Sequence, residues 1–352
     1  MKNSLSILSI NTQVRSIAVL NRMIFEISDS TDWQLRLLDG LTKWSIDEEK
    51  NNPSYAASTG KLTEKGKPTN AFKFYLQFLS KTNLIVQFND AIQLSKYGHI
   101  WQYFLKNAPA NHNNYQSIFW AFWLFKYDFD ILYVLLGIVT KNEKNSWKEI
   151  DIRQKYHFAM KAHLENLLKQ PNVNKKYKDS IKYTLKTLSS EKETPNAFKH
   201  TVANRLAWLH SLNLLDRANN KAFSPTKKGE SLRTLITEKK QVFLDDFVLV
   251  YTQDSPLQKF ESLEIARIHH FFKQNIDLYY TQMKYDKEGA MRVSAHSFFM
   301  FIVLKLLADD LLISTTVNWE GLLKTPIVID GIRYTYRPTA NENESYISIL
   351  SL

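Results

Sequence analysis

The side chains best suited to chemistry in this sequence are basic and amide groups in two stretches, residues 69–77 and 199–228. Arg and Asn side chains can pair bidentately with guanine and adenine edges, whereas lysines suit phosphates. In the later stretch the candidates are Lys199, His200, Asn204, Arg205, Lys221, Lys227 and Lys228. In the earlier stretch they are Thr69, Asn70, Lys73 and Gln77. These residue types predict contact with double-stranded DNA. The alternative is that the charged side chains belong to a solvent-exposed helix face that binds no ligand.

Signals for catalysis are few. The sequence contains no Walker loop, no glycine-rich dinucleotide turn and no Gly-x-Ser-x-Gly elbow. A metal-dependent nuclease needs clustered carboxylates and a lysine to hold a metal ion and a water molecule. The groups that could supply them are Glu238-Lys239-Lys240, Asp245-Asp246 and Asp309-Asp310. Acid-x-lysine triples are frequent by chance, so we predict that the protein is not an enzyme and that it holds no cofactor and no metal.

The later basic stretch lies within a pattern of helix, strand, turn, strand and helix. Leu206 and Leu209 are three residues apart, so they share one face of a helix. Asn213 is suited to the left-handed position that ends this helix. An extended segment then turns back through a polar stretch, and Thr226 can cap a new helix that contains Gly229. The two strands form a wing between the helices.

The same pattern occurs earlier in the chain. Asn83 stands where Asn213 stands, and residues 95–98 match residues 226–229 as Ser/Thr-Lys-x-Gly. The apolar positions with the spacing of Leu206, Leu209, Leu214 and Leu215 are Leu76, Leu79, Leu84 and Ile85. A third, degenerate copy carries the same spacing at Val303, Leu306, Leu311 and Leu312. No Ser/Thr-Lys-x-Gly follows the third copy, and its outer face is apolar, which favours burial or docking on another protein.

The repeated motif is Leu-x2-Leu-x4-Leu-[Leu/Ile], a wing and [Ser/Thr]-Lys-x-Gly. It resembles winged-helix DNA-binding domains, with the first copy in residues 32–107 and the second copy in residues 142–237. Tandem winged helices joined by helices also resemble the DNA-recognition regions of type IIS restriction enzymes. The resemblance implies that the third helix of each copy enters the major groove and that the wing touches phosphates. The cleavage-domain motif of those enzymes is not evident here, which favours a recognition subunit or a scaffold.

Composition bounds the class of protein. The chain has 352 residues, 44% of them hydrophobic, with only nine glycines and nine prolines, which favours a mainly helical protein of two or three domains. Lys and Arg outnumber Asp and Glu by 46 to 35, giving a net charge of +11 that suits a nucleic-acid partner. The absence of cysteine excludes disulfides, thiolate nucleophiles and cysteine zinc sites. Charges interrupt the most apolar run, residues 118–139, so we predict no membrane span. The N-terminus has one early lysine and no small-residue cleavage site, so we predict no signal peptide and a cytoplasmic location.

We predict a mainly α fold with small β-wings, in tandem winged-helix domains joined by helical segments. The predicted regions are an N-terminal helical segment (1–31), winged-helix domain 1 (32–107), an apolar helical linker (108–141), winged-helix domain 2 (142–237) and a C-terminal α+β domain (238–352). The linker is expected to contain two aromatic-rich helices that break near Asp128. The C-terminal domain is expected to contain a hairpin that turns at Asp330-Gly331.

The leading functional hypothesis is a non-enzymatic protein that binds double-stranded DNA through tandem winged helices. Such a protein could serve as a subunit of a restriction or phage-defence complex, or as a regulator. The alternative is a protein-interaction scaffold whose winged helices, or whose C-terminal region, dock partner subunits. The third hypothesis is a metal-dependent nuclease.

Overall fold

The fold is mainly helical with small sheets of two to four strands, as the sequence predicts. The computed structural model describes residues 5–11, 13–28, 32–57, 60–108, 113–141, 145–171, 173–190, 198–219, 222–239, 243–253, 258–259, 265–282, 292–309, 311–312, 326–339 and 345–351. The chain divides into two compact units. The first unit comprises residues 1–26, 33–82 and 117–250, and the second unit comprises residues 27–32, 83–116 and 251–352.

The helices and strands are numbered in chain order. The helices are α1 (Ile17–Glu26), α2 (Gln34–Asn51), α3 (Pro53–Ala56), α4 (Ala71–Lys81), α5 (Lys96–Asn107), α6 (Asn113–Val139), α7 (Glu149–Leu168), α8 (Lys175–Ser190), α9 (Lys199–Ser211), α10 (Lys227–Lys239), α11 (Leu244–Thr252), α12 (Ile265–Gln282) and α13 (Ala295–Ala308). The strands are β1 (Asp32–Trp33), β2 (Thr63–Glu64), β3 (Lys67–Pro68), β4 (Ile85–Phe88), β5 (Ala91–Leu94), β6 (Trp147–Lys148), β7 (Leu215–Arg217), β8 (Ala222–Pro225), β9 (Gln258–Lys259), β10 (Arg292–Ser294), β11 (Leu311–Leu312), β12 (Ile327–Ile329), β13 (Ile332–Arg337) and β14 (Tyr346–Ser351).

Both predicted copies contain a helix, an antiparallel wing and a closing helix. The first copy runs α4, β4, β5 and α5, and the second copy runs α9, β7, β8 and α10. The helix before each wing ends at an asparagine in the left-handed region, Asn83 with φ 57° and Asn213 with φ 55°, as predicted. The sheets that contain the wings have the same strand order, β1-β5-β4 and β6-β8-β7. The short strands β1 and β6 were not predicted.

The start of α10 shows why the second copy uses Thr226 and Gly229. The Thr226 hydroxyl accepts a hydrogen bond from the Gly229 N–H at 3.0 Å and donates one to the Asn213 carbonyl at 2.7 Å. An added Cβ at Gly229 would lie 2.1 Å from the carbonyl oxygen of Leu214. Only glycine therefore lets the closing helix approach the backbone just before the first strand of the wing this closely.

The first copy repeats this geometry within the second unit. The Ser95 hydroxyl accepts from the Gly98 N–H at 3.1 Å and donates to the Asn83 carbonyl at 2.6 Å. An added Cβ at Gly98 would lie 2.0 Å from the carbonyl oxygen of Leu84. The shared motif is therefore a shared turn between wing and closing helix, and the sequence repeat is also a structural repeat.

Helix α6 supplies much of the core of the first unit. Phe119, Trp120 and Trp123 are fully buried, and the Trp123 indole N–H donates to the Thr82 carbonyl at 3.1 Å. The helix breaks where predicted, because Asp128 has non-helical backbone angles of φ −131° and ψ 30°. Among the described residues, no helix has the length and apolarity to span a membrane.

Helix α13 occupies the centre of the second unit. Phe301 is fully buried against Phe104 of α5, with 5.4 Å between ring centroids. The buried Ser297 hydroxyl lies 2.6 Å from the hydroxyl of Tyr279 in α12. A four-stranded sheet of order β10-β14-β13-β12 completes the unit, and its predicted hairpin turns at residues 330–331, which both have positive φ.

The structure differs from the prediction in where the chain divides into compact units and in the region of the predicted third copy. The predicted domain 32–107 is shared between the two units, since α2 to α4 belong to the first and β4 to α5 belong to the second. Residues 292–294 form the strand β10 that precedes α13. After α13, β11 pairs in parallel with β9 and not with a following wing strand among the described residues. The outer face predicted to be buried or docked is buried within the unit, since Met300 is 3% exposed and Leu304 is fully buried.

Candidate nucleic-acid interface

Asn204 and Arg205 on α9, which we predicted to face DNA, are buried. Arg205 is 1% exposed and Asn204 is fully buried. Arg205 Nε donates to Asp128 Oδ2 at 2.5 Å, and its Nη2 donates to Asp128 Oδ1 at 3.1 Å, which makes a bidentate ion pair. The prediction that these two side chains face solvent is therefore wrong. Their hydrogen-bonding groups serve the fold and are not presented to a base edge.

An N-terminal segment, residues 5–11, covers this part of α9, and we call it the strap. The Leu8 carbonyl of the strap accepts from Arg205 Nη2 at 2.7 Å. The Asn204 amide donates to the Asn11 carbonyl at 3.4 Å. The strap thus occupies the hydrogen-bonding side of the helix that the winged-helix resemblance assigns to the major groove.

Two buried carboxylates in α6 hold the strap from the other side. Asp128 Oδ1 accepts from the Leu8 N–H at 2.9 Å, and Asp130 Oδ2 accepts from the Ser6 N–H at 2.8 Å. Asp130 Oδ1 also lies 2.9 Å from His163 Nε2. Burial raises the pKa of Asp128, while the paired guanidinium and the Leu8 N–H favour its ionised form. The backbone of the strap is therefore fixed by charge-assisted hydrogen bonds at both carboxylates.

The rest of α9 offers little surface. Trp208 is fully buried and packs on Phe78 of α4, with 5.4 Å between ring centroids. Lys199 and His200 are exposed, but they lie in the first turn of the helix. The helix therefore presents its ends to solvent and not a continuous face, and a helix that reads the major groove needs such a face.

The wing region of the second copy keeps some exposed charge. Lys227 is exposed and Lys228 is half-buried. Lys221 lies outside the described residues. Arg217 in β7 is exposed, with its Cζ 5.7 Å from the ring centroid of Phe223. Lys227 and Arg217 therefore remain available for phosphate contact.

The residues predicted from the first copy lie mostly on one exposed face. Asn70, Lys73 and Gln77 are exposed, and their spacing of three and four residues places them on the same side of α4. Thr69 is half-buried, and its hydroxyl accepts from the Ala71 N–H at 3.1 Å and donates to the Lys61 carbonyl at 2.9 Å. Thr69 thus orients the start of α4, while the other three side chains face solvent.

A polar cleft of about 980 Å³ opens at this start of α4. Its lining residues are Gln13, Ala56, Ala57, Lys61, Glu64, Lys65, Lys67, Pro68, Thr69 and Asn70, and we call it the lysine cleft. Lys65 and Lys67 are exposed and have no ion-pair partner within the described part of the chain. Lys61 lies 3.5 Å from Glu49, so its charge is partly compensated. The N-terminus of α4 adds its positive dipole end to the cleft.

The β2–β3 hairpin that carries these lysines is fixed by its turn and by buried hydroxyl groups. Lys65 and Gly66 both have positive φ, 52° and 75°, as a two-residue hairpin turn requires. The Ser45 hydroxyl lies 2.8 Å from that of Thr63 and 2.7 Å from that of Tyr55, and all three residues are buried. The hairpin therefore projects its lysines from a fixed base.

Three arginines of the first unit, Arg15, Arg153 and Arg217, influence one another electrostatically. Burial and the neighbouring Arg217 guanidinium lower the pKa of Arg15, and burial and Arg15 lower the pKa of Arg153. Arg153 forms an ion pair with Glu149, one turn earlier in α7. Arg15 follows Gln13, a lining residue of the lysine cleft, by two residues in sequence.

None of the described groups considered for nuclease chemistry is among the lining residues of the lysine cleft. Asp246 is buried, and it accepts from Lys239 Nζ at 2.5 Å and from the Phe243 N–H at 2.8 Å at the start of α11. Lys240 and Asp310 lie outside the described residues. In the parts of the chain that the structure describes, no three His, Asp or Glu side chains are placed to share a metal ion.

The hairpin lysines and the arginines were not predicted from the sequence. The sequence signal for the hairpin is the Lys65-Gly66 turn beside a second lysine, a pattern that is short and common. The fold and this surface define a mainly helical protein with two winged copies and a basic cleft at α4 of the first copy. Comparison of the chain with known protein families, characterised proteins and solved structures gave no match.

Proposed function

We propose that the protein binds double-stranded DNA, without catalysing a reaction on it, mainly through phosphate contacts made at the lysine cleft. The observation that carries this proposal is that Lys65, Lys67 and the N-terminus of α4 line one open cleft. Asn70 and Lys73 extend the same surface along α4. A lysine ammonium on a flexible stem suits phosphate as a point charge, and phosphate contacts supply most of the affinity of non-specific binding.

The same geometry argues for weak sequence preference. Base reading needs Arg, Asn or Gln side chains held against base edges, and Arg205 and Asn204 are engaged by Asp128 and the strap. Asn70 and Gln77 are the exposed amide groups on the first copy that remain for base contact. The role of the protein as a subunit of a restriction or phage-defence complex, or as a regulator, stays a prediction, as does its cytoplasmic location.

Charge reversal at the cleft tests the proposal. The variant Lys65→Glu with Lys67→Glu is expected to bind a labelled duplex at least about tenfold more weakly at low salt, since both phosphate contacts are lost. The matched control reverses two exposed lysines elsewhere in the first unit, Lys141 and Lys161, and makes the same change in net charge. Equal weakening in both variants contradicts a role for the cleft, and unchanged thermal unfolding confirms that each variant is folded.

A scaffold that docks partner proteins is the second candidate function. It is supported by a different observation, the exposure of large apolar side chains at the start of α2, where Leu35 is 77% exposed and Trp33 is 61% exposed. The covered state of α9 also agrees with a winged helix that does not enter a DNA groove. In this case neither the wild type nor the cleft variant shows salt-sensitive affinity for duplex DNA.

A further inference from the structure

Helix α8 carries a second basic surface in the first unit, and none of its residues lines the lysine cleft. Its buried side, Tyr177, Ile181 and Leu188, faces the protein, and α8 packs against α7. The other side carries lysines along its whole length, and we call this set the α8 ridge. The ridge consists of Lys175, Lys176, Lys178, Lys182 and Lys186.

The ridge is poorly compensated. Within the described residues, none of its ammonium groups has an ion-pair partner, and Asp179 is the acidic residue of the helix. Lys175, Lys182 and Lys186 are all exposed. At 1.5 Å per residue, the first and last of these span roughly 16 Å along the helix. An extended polyanion of several charges fits such a row better than a single small anion.

One exposed aromatic ring lies beside the row of lysines. Tyr183 is 74% exposed and lies between Lys182 and Lys186 in sequence. An exposed ring beside lysines is the arrangement by which proteins bind single-stranded nucleic acid, since the ring stacks on an unpaired base while the cations contact phosphates. A duplex offers no free base face for this ring, because its bases are stacked on one another.

The position of α8 supports a role in binding. It lies between α7 and α9, the third helix of the second copy. The first copy carries α3 and the β2–β3 hairpin, with Lys65 and Lys67, at the corresponding place between α2 and α4. Both copies thus place exposed lysines in the segment before the third helix, although the two segments differ in structure.

Other partners fit α8 less well. A helix that lies in a membrane surface inserts its apolar face, and the apolar face of α8, around Ile181, is already buried. An acidic peptide satisfies the lysines but leaves the ring of Tyr183 without a specific role. We propose that the α8 ridge binds a single-stranded nucleic acid, with the lysines along its phosphates and Tyr183 stacked on an unpaired base. This inference extends the proposed function, because it adds a second surface with a different form of nucleic acid.

The test uses fluorescence anisotropy of the full chain with a labelled 16-nucleotide oligothymidine and with a blunt duplex. Tyr183→Ala is expected to weaken binding to the single strand about tenfold, with Tyr183→Phe close to wild type, because stacking needs the ring and not the hydroxyl. Binding to the duplex is expected to change less than twofold. The aromatic control is Phe243→Ala, which removes another exposed ring of the first unit.

Neutralising the ridge tests the phosphate contacts. Lys175→Gln, Lys182→Gln and Lys186→Gln together are expected to reduce the salt dependence of single-strand binding by about two units of slope, since each contact contributes about 0.7. The control substitutes Lys43, Lys141 and Lys161, all exposed, with Gln.

The outcomes separate this inference from the proposed function. The inference is overturned if Tyr183→Ala binds the single strand as tightly as the wild type does. It is also overturned if polyglutamate binds as tightly as the single strand and Tyr183→Ala has no effect. Neither result bears on duplex binding at the lysine cleft. Single-strand binding that depends on Tyr183, together with no binding to the duplex, supports the inference and overturns the proposed function. A wild-type protein that binds neither nucleic acid overturns both.

Discussion

Replacing Asp128 by Asn is expected to destabilise the first unit strongly. Asn keeps the shape of the side chain but removes the charge that pairs with Arg205, whose guanidinium is 1% exposed. Breaking a buried ion pair by removing one partner costs about 3–5 kcal/mol, because the other charge is left buried without compensation. The Leu8 N–H loses a charged acceptor in the same change. The loss is therefore expected at the upper end of this range.

Urea unfolding followed by tryptophan fluorescence measures this loss, because Trp123 and Trp208 are buried in the first unit. With a slope of about 1–3 kcal/mol per molar urea, the midpoint is expected to fall by at least about 1 M. A double-mutant cycle isolates the pair. The double variant Asp128→Leu with Arg205→Met is expected to lower the free energy of unfolding by clearly less than the sum of the two single changes. Each single change leaves one buried charge without its partner, whereas the double variant leaves none.

Lys199→Ala is the control for these substitutions, because Lys199 is an exposed cation at the start of the same helix. Its effect on the free energy of unfolding is expected to stay within about 0.5 kcal/mol. The reasoning is refuted if Arg205→Ala leaves the free energy of unfolding unchanged and instead weakens binding to a preferred DNA site by about 1–3 kcal/mol, as loss of a base contact does. That result would mean that Arg205 contacts a DNA base and that the strap leaves α9 when DNA binds.

Three further predictions concern the turns and one buried hydroxyl. Gly98→Ala and Gly229→Ala are each expected to lower the free energy of unfolding by about 1–3 kcal/mol, because the added Cβ meets a carbonyl oxygen. Gly40→Ala in α2, where the added Cβ meets nothing within 4 Å, is expected to raise the free energy of unfolding by up to about 1 kcal/mol. Thermal unfolding in which Gly98→Ala or Gly229→Ala is as stable as Gly40→Ala contradicts the turn geometry. Asn213→Ala is expected to cost about 1–2 kcal/mol because the residue is left-handed, and an equal cost for Asn213→Gly in urea unfolding argues against backbone strain as the cause. The Tyr334 hydroxyl is buried without a hydrogen-bond partner among the described residues, and burial raises the pKa of Tyr334 to about 12 from an ordinary value of 10.0. Unfolded protein therefore loses this proton first, so stability is expected to fall as the pH rises from about 10 to about 12, and Tyr334→Phe is expected to reduce that fall in a pH series of thermal unfolding.

The turns could be predicted from the sequence because their causes are local. A helix that stops at Asn213 and restarts at Thr226 is specified by residues within about one turn of each boundary, through a left-handed position and a hydroxyl cap. The break in α6 was visible for a similar reason, since charged residues interrupt an apolar run near Asp128.

The burial of Arg205 could not be predicted in the same way. Its partner Asp128 lies 77 residues away in sequence and the Leu8 carbonyl lies 197 residues away. The periodicity of α9 places Arg205 away from the face that carries Leu206 and Leu209. An exposed Arg205 follows from this only if the opposite side of the helix faces solvent. The strap, together with α6, covers the other side, which is a consequence of tertiary packing.

The lysine cleft was partly predicted. Thr69 and Asn70 of its lining, and Lys73 beside it on α4, follow from the position of α4 in the repeat. The hairpin lysines were missed because β2 and β3 have two residues each, too few for any alternation to appear. Strands β1, β6 and β10 are two or three residues long and were missed for the same reason.

The most direct test of DNA binding at the lysine cleft is the salt dependence of the affinity of the wild-type protein for a labelled duplex. Contacts from Lys65, Lys67 and Lys73 predict a slope of log affinity against log salt of about −3, and the variant with Lys65→Glu and Lys67→Glu is expected to lose about two units of it. Salt-insensitive binding, no binding at low salt, or an unchanged slope in the variant contradicts the account.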